Sequence, residues 1–245
     1  MRAPAKDSPS RRGSVNMFAR LANLRDQGFV PSRILDVGAN RGLWTKAVRQ
    51  IWPRAQLLMF EANPNLVPEL EGSGVPFRIA VLGETARDVT MHFGRGKSIT
   101  GSSMFRESGK HRDNFDATTV RMQTLDDALA SERARDGGYQ LLKIDVQGAE
   151  LRVLEGATRT LRSVEAIVLE LSIVQYNEGA PLWLEMQARL GALGYQVYDV
   201  LELHYHAGER HTPQCIQVDL LFVRTSSRLW HANVTGFPKP AWPPL

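Results

Sequence analysis

The feature that most constrains this chain is residues 34–42, ILDVGANRG: an apolar run, then a turn carrying two glycines, then an amphipathic stretch from Leu43. A buried strand that feeds a helix through a glycine turn opens a βαβ unit, and such units assemble into parallel sheets covered on both faces. The rest of the chain repeats the alternation. Apolar runs at 34–37, 56–60, 77–82, 141–146, 166–171, 196–200 and 218–223 predict seven strands. Amphipathic stretches at 43–52, 65–71, 125–135, 150–162 and 181–193 predict the helices between them. Asn63 before Pro64 reads as a helix start, and Thr124 followed by Asp127 reads as a capping pair. The last two strands are joined by a polar, His-rich link, 201–217, with no helical pattern, so they should run antiparallel. The expected fold is α/β: a doubly wound, Rossmann-like, seven-stranded, mostly parallel sheet with an antiparallel last strand.

Composition agrees with one core. The 245 residues are 43% hydrophobic and 23% charged, which excludes a disordered chain, a collagen repeat and a coiled coil. No run of about 18 apolar residues predicts a membrane span. The net charge is +4, but Arg2, Lys6, Arg11 and Arg12 against Asp7 place +3 of it in the first 14 residues. The remainder is nearly neutral, so no basic face for nucleic acid is expected. Cys215 is the single cysteine; with no internal disulfide available, and no apolar stretch behind the basic N-terminus, a cytoplasmic protein is expected. Residues 1–16 read as a disordered basic tail, 17–229 as one domain, and 230–245, which holds four prolines between Phe237 and Leu245, as an extended tail. Oligomeric state is left open. Segment 94–117, with four glycines, four serines and no periodicity, reads as a lid-like insertion between extended segments 89–93 and 118–123.

In open α/β sheets ligands bind beyond the carboxyl ends of the strands, where the strand order reverses. Gly38 permits a tight turn there, and Gly42 lets the helix start approach a ligand. Glu61 ends the second strand, 19 residues after Gly42, where a carboxylate can accept from both hydroxyls of a ribose. A nicotinamide turn would read G-x-G-x-x-G, and this one lacks the third glycine. Tyr139 and Lys143 match the Tyr-x-x-x-Lys spacing of some dehydrogenases, but on a strand residues four apart stand roughly 13 Å from each other. Asp145 closes the strand 141–146 beside the glycine turn. Lys143 and Glu150, in and after that strand, need partners if buried, and a structural ion pair is the expected use. Trp44, Trp52 and Met59 read as core.

These segments together resemble the FkbM family of S-adenosylmethionine-dependent methyltransferases over about residues 33–224. The resemblance rests on DVGANRG (36–42), FEANP (60–64), TGSSMF (100–105), TLDDAL (124–129), KIDVQGAE (143–150), LELS (169–172) and DLLFVR (219–224), in that order. It implies that Asp36, Gly38, Ala39, Asn40 and Gly42 form the turn at the methionine end of the cofactor. Glu61, with Ala62 and Asn63, would hold the ribose, and Asp145 would border the cofactor. Ala62 departs from the more usual proline of that motif without touching the acid. The family implies O-methylation of a hydroxyl on a small molecule, a sugar or a secondary metabolite. Alternatives are a silent cofactor-binding domain, an NAD(P)-dependent oxidoreductase, or an N-methyltransferase, whose usual Pro-Pro-aromatic turn is missing from Asp145-Val-Gln-Gly148.

Methyl transfer from a sulfonium asks for in-line alignment of the acceptor and for removal of its proton. Asp145 and Glu170 are the candidate bases. Ser102 and Ser103 in the lid, and His204 and His206 in the last link, are candidate contacts to the acceptor. The histidines of that link (204, 206 and 211) are read as solvated or acceptor-contacting rather than as a metal site; the resemblance to sugar O-methyltransferases, some of which use Mg²⁺, implies Asp145 and Glu170 as the residues that would hold such an ion.

Overall fold

The computed structural model describes residues 16–96, 101–108, 112–132, 138–207 and 213–231. The two predicted tails therefore fall almost wholly outside the described residues, as does part of segment 94–117. In chain order the elements are α1 (Met17–Asp26), β1 (Arg33–Val37), α2 (Leu43–Ile51), β2 (Gln56–Glu61), α3 (Val67–Glu71), β3 (Phe77–Ile79), β4 (Val81–Leu82) and β5 (Arg87–Gly94). There follow β6 (Phe115–Gln123), α4 (Leu125–Ala128), β7 (Leu141–Ile144), α5 (Glu150–Glu155), β8 (Ala166–Ser172), α6 (Trp183–Ala192), β9 (Tyr195–Ala207) and β10 (Pro213–Arg224).

Seven strands form the main sheet in the order β3-β2-β1-β7-β8-β10-β9. The first five are parallel, and β10 enters antiparallel between β8 and β9, as the missing helix before it predicts. Every residue of β1 is buried, because apolar clusters cover both faces. Leu35, Val37, Leu58 and Phe60 pack under α4, α5 and α6 through Leu125, Val153 and Leu190. Ile34, Leu57 and Met59 pack under α1, α2 and α3 through Leu21, Val48 and Leu70. The order reverses between β1 and β7, so the switch point lies at Gly38 and Asp145.

Several local expectations change. Asn63 caps a 3-10 turn, Pro64–Leu66, that leads into α3, and Thr124 accepts from the amide of Asp127 at 3.0 Å to start α4. The two long helices predicted at 125–135 and 150–162 are instead short: a 3-10 turn follows each, at Ala130–Glu132 and Thr160–Arg162. The run 77–82 divides at Ala80 between two sheets. Its second half, β4, joins β6 and β5 in a three-stranded sheet with its own core of Val81, Val89, Met91 and Met122. The predicted link 201–217 is largely strand, since β9 and β10 extend past the main sheet as a paired ribbon. Helix α1 was not expected; it buries only Met17, Leu21 and Leu24, and the rest of its surface is mostly polar apart from the exposed Phe18. Among the described residues no helix is long and apolar enough to cross a membrane.

Candidate active site

The turn after β1 is built from backbone. Gly38 and Ala39 donate their amides to the carbonyl of Phe60 at 2.9 and 3.0 Å, which ties the turn to β2. Gly38 sits at φ +78°, and a Cβ there would stand 1.8 Å from the carbonyl oxygen of Asp145. Only glycine fits between those two strand ends. Asn40 takes φ +50°, a left-handed conformation that asparagine tolerates. That bend aims its amide at Glu61, whose Oε2 accepts it at 2.7 Å while Oε1 accepts from the amide of Asn63 at 2.8 Å. Burial raises the proton affinity of Glu61, and the amides of Asn63, Asn40 and Ala62 oppose that rise.

Glu61 faces a cavity that it shares with Gly38, Asn40, Ala62, Asp145 and Gln147, with Val81, Leu82, Met91 and Met104 as its apolar side. Ser102 lines this cavity and accepts from the amide of Gly94 at 3.1 Å. Ser103 is buried, its hydroxyl donating to the carbonyl of Gln147 at 2.7 Å and accepting from the amide of Phe105 at 2.9 Å, so it fastens segment 101–108 to the site. Asp36, Gly42 and Asn63 stand behind the wall. Gly42 starts α2 at φ +69° over the Met59 sulfur. Asp36 accepts from the Thr45 hydroxyl.

Lys143 explains Asp36. Its buried ammonium lies 3.3 Å from Asp36 and 3.2 Å from Asp145, and donates to the carbonyl of Gly38 at 3.2 Å. Burial works against its charge, but the two carboxylates outweigh burial and raise its proton affinity. It thus pins the two strand ends and the glycine turn together, the ion pair expected for it. At the other end of β7, Tyr139 accepts from Arg33, so the dehydrogenase-like spacing joins two separate structures. Glu150 accepts from the amides of Val146 and Gly148 at 3.0 and 3.1 Å; its complete burial pushes its pKa up to about 7.

A second, open cleft adjoins the cavity across Gly38, Asn40, Asp145 and Gln147. Phe18, Leu43 and Trp44 form one wall, and Glu170, Glu202, His204, Gln217 and Asp219 the other. His204 Nε2 lies 2.6 Å from Asp219 Oδ2. That contact raises the proton affinity of His204 despite its partial burial. Burial raises that of Glu170, helped by the charges of Asp145 and Asp219. The side chain of His206 lies outside the described residues.

Three residues here were not expected from sequence. Gln147, at φ +56°, donates from one amide nitrogen to Asp145 at 2.9 Å and to Glu170 at 2.7 Å. That nitrogen lies between the two carboxylates and bridges them, so nothing here supports Mg²⁺ at that place. Gln217 donates to Glu170 at 2.7 Å, and Asp219 holds His204. Gln147 carried a signal, lying in the QGAE turn directly after the strand. Asp219 and Gln217 looked like ordinary strand residues.

A profile of the methyltransferase FkbM domain matches residues 36–197. The 2-O-methyltransferase NoeI of Sinorhizobium fredii (strain NBRC 101917 / NGR234) is 28% identical over 162 residues, covering 60% of this chain and 65% of that protein. The likeness therefore spans less than two thirds of that relative. Among solved structures, a precorrin-6y C5,15-methyltransferase from Geobacter metallireducens aligns with 91% of this chain and 93% of its own, at 12% identity and a TM-score of 0.43. The O-methyltransferase TomG from Streptomyces achromogenes, solved with S-adenosylmethionine, aligns with 84% of this chain and 77% of its own, at 12% identity and a TM-score of 0.43.

Proposed function

We propose, from the premise that the chain belongs to the FkbM methyltransferase domain family, that it transfers the methyl group of S-adenosylmethionine to a hydroxyl oxygen of a small acceptor. The observation that carries this reading is Glu61: a buried carboxylate at the end of β2, steered by two turn amides and facing the cavity beside Gly38. A carboxylate offers about four acceptor positions, so capacity remains for both hydroxyls of a ribose. The chain's residues fit the cofactor in a second respect. Glycine at 38 lets the turn close against the carbonyl of Asp145 and puts no side chain on the cavity rim, where the methionine end would lie, and the apolar side of the cavity suits an adenine ring. Bound there, S-adenosylmethionine supplies an already activated methyl group.

The acceptor then belongs in the cleft, reached across the shared rim at Gly38 and Asp145. Asp145 is the carboxylate that borders both spaces, and Lys143 and Gln147 fix its orientation. We assign it removal of the acceptor proton, with Glu170 as the alternative base and His204 as an acceptor contact. Segment 94–117 acts as the lid, Ser102 on its cavity side. The 2-O-methyltransferase activity named for NoeI supports an oxygen acceptor; a sugar or a secondary metabolite is the acceptor class that the family resemblance implies.

Calorimetry with S-adenosylmethionine, S-adenosylhomocysteine and NAD on the full chain tests the cofactor. The first two should bind at one site and NAD should not. Binding of NAD in place of both would overturn the reading.

A further inference from the structure

The cleft sets Glu170 and His204 beside Asp219, and their close grouping is more than a base and an acceptor contact require. Glu170 on β8 and Asp219 on β10 are direct partners across the antiparallel pair, so two carboxylates emerge side by side on one face. Their side chains are 14% and 8% exposed, which makes two adjacent negative charges costly without a cation. Register shifts in the β9–β10 ribbon on either side of this point bring in a third strand: His204 lies opposite Gln217, two positions from Asp219. Its Nε2 stands 2.6 Å from Asp219 Oδ2 and 3.8 Å from Glu170 Oε1, and one ligand atom from each residue falls within 4.8 Å of the others.

We propose that Glu170, His204 and Asp219 bind a first-row divalent cation, of the Zn²⁺ or Mn²⁺ class, on the acceptor side of the site. Distances fit such an ion. With bonds of about 2.1 Å, two ligand atoms on one ion stand roughly 3.0 to 3.4 Å apart. The separations from His204, 2.6 and 3.8 Å, bracket that range and the third pair lies within 4.8 Å, so the His204–Asp219 contact would open and Glu170 would move in to hold an ion. The chemistry fits as well. One imidazole nitrogen with two carboxylate oxygens suits these ions, whereas Mg²⁺ prefers oxygen ligands and its own waters.

The surroundings orient the ligands. Gln147 and Gln217 both donate to Oε2 of Glu170, at 2.7 Å each. Both amides thus occupy one carboxylate oxygen and leave Oε1 toward His204. Neutral amide donors behind a ligating carboxylate are the support a metal site needs. Three protein ligands leave coordination positions open toward the cleft, as in metal sites that handle substrates. This consequence rests on the proposed methyl transfer, although the cation site itself does not. A hydroxyl oxygen held at an open position releases its proton more readily, and Asp145 lines the same cleft to take it.

The test is titration of the full chain, stripped with chelator and dialysed, with Mn²⁺ and Zn²⁺ separately, followed by calorimetry and by the paramagnetic resonance of free Mn²⁺. One ion per chain should bind. Glu170→Gln, His204→Gln and Asp219→Asn should each weaken binding by at least about tenfold, since losing even a side chain that only orients a metal ligand costs roughly 10- to 100-fold. Cys215→Ser should leave it unchanged. His204→Gln is a mild change on a partly exposed strand position, so the test does not depend on the buried variants folding. Absence of one-to-one binding in the unmodified chain, or equal affinity in His204→Gln, would overturn the site and leave a plain His–Asp hydrogen bond. S-adenosylmethionine titrated into the same samples separates the two readings: cation binding without cofactor binding sinks the function, and the reverse sinks the cation site.

Discussion

The two ends of the candidate site are made of different material. At the β1–β2 end the working parts are backbone: amides of Gly38, Ala39, Asn40 and Asn63, carbonyls of Phe60 and Gly38, and one carboxylate that they steer. At the β8–β10 end they are side chains, Glu170, His204, Gln217 and Asp219, projecting from paired strands whose backbone groups are used in the ladder, with register shifts on the β9 side. A backbone-made site tolerates few substitutions at its turn, because the conformation itself demands glycine. A side-chain site can be altered without moving the sheet. The first end should therefore fail as a unit, and the second should fail one function at a time.

The largest effect belongs to Gly38→Val. The added Cβ meets the Asp145 carbonyl at 1.8 Å, and φ +78° is strained for a branched residue. We expect loss of S-adenosylmethionine binding by more than about 100-fold and destabilisation of about 3 kcal/mol or more. Calorimetry and thermal melting check both; wild-type binding would show that the turn faces something else. Gln217→Ala, at the other end, should leave cofactor affinity within about threefold. A comparable loss there would erase the contrast.

Glu61→Ala comes next. It removes the ribose acceptor and also leaves the amides of Asn40 and Asn63 without a partner. Cofactor binding should weaken by about 2 to 4 kcal/mol, the loss of a pair of charge-assisted hydrogen bonds. The sheet should survive, since β2 stays paired on both sides. Unchanged affinity in a folded Glu61→Ala protein would remove the carboxylate from the cofactor site.

The same contrast decides what could be read from the sequence. The turn was legible because tight backbone leaves a residue signature: glycines at 38 and 42, an acid 19 positions later, and apolar strands around them. The seven-stranded sheet was legible for a related reason, since strands buried on both faces must be continuously apolar. The acceptor end was not. Asp219 sits in an apolar run, and its face is fixed by register shifts against β9 that no local pattern encodes. The division of 77–82 between two sheets is likewise tertiary, and α1 is too polar to announce itself by periodicity. Ser103 read as a ligand contact, yet its neighbours turn it into a strut.

The smallest expected effect concerns Glu150, which links the two ends by holding the 146–148 loop that presents Asp145 and Gln147. Its pKa of about 7 in the folded protein lies above its ordinary value of 4.5, with burial as the main cause. The folded state thus holds this proton more tightly than the unfolded chain does. Below about pH 4.5 both states carry it and nothing is lost; from there to about pH 7 stability falls as pH rises, and above pH 7 the full loss applies. Glu150→Gln mimics the neutral form, and its side-chain oxygen can still accept from Val146 and Gly148. The variant should match the unmodified protein at pH 4.5 and exceed it at pH 8 by about 1 to 3 kcal/mol, a gain of several degrees in Tm. Because only the difference between two chains is read at each pH, other titrating groups cancel. A gap that stays constant between pH 4.5 and pH 8 would mean that Glu150 is ionised throughout; the loop would then be held by a charged carboxylate accepting from its turn amides.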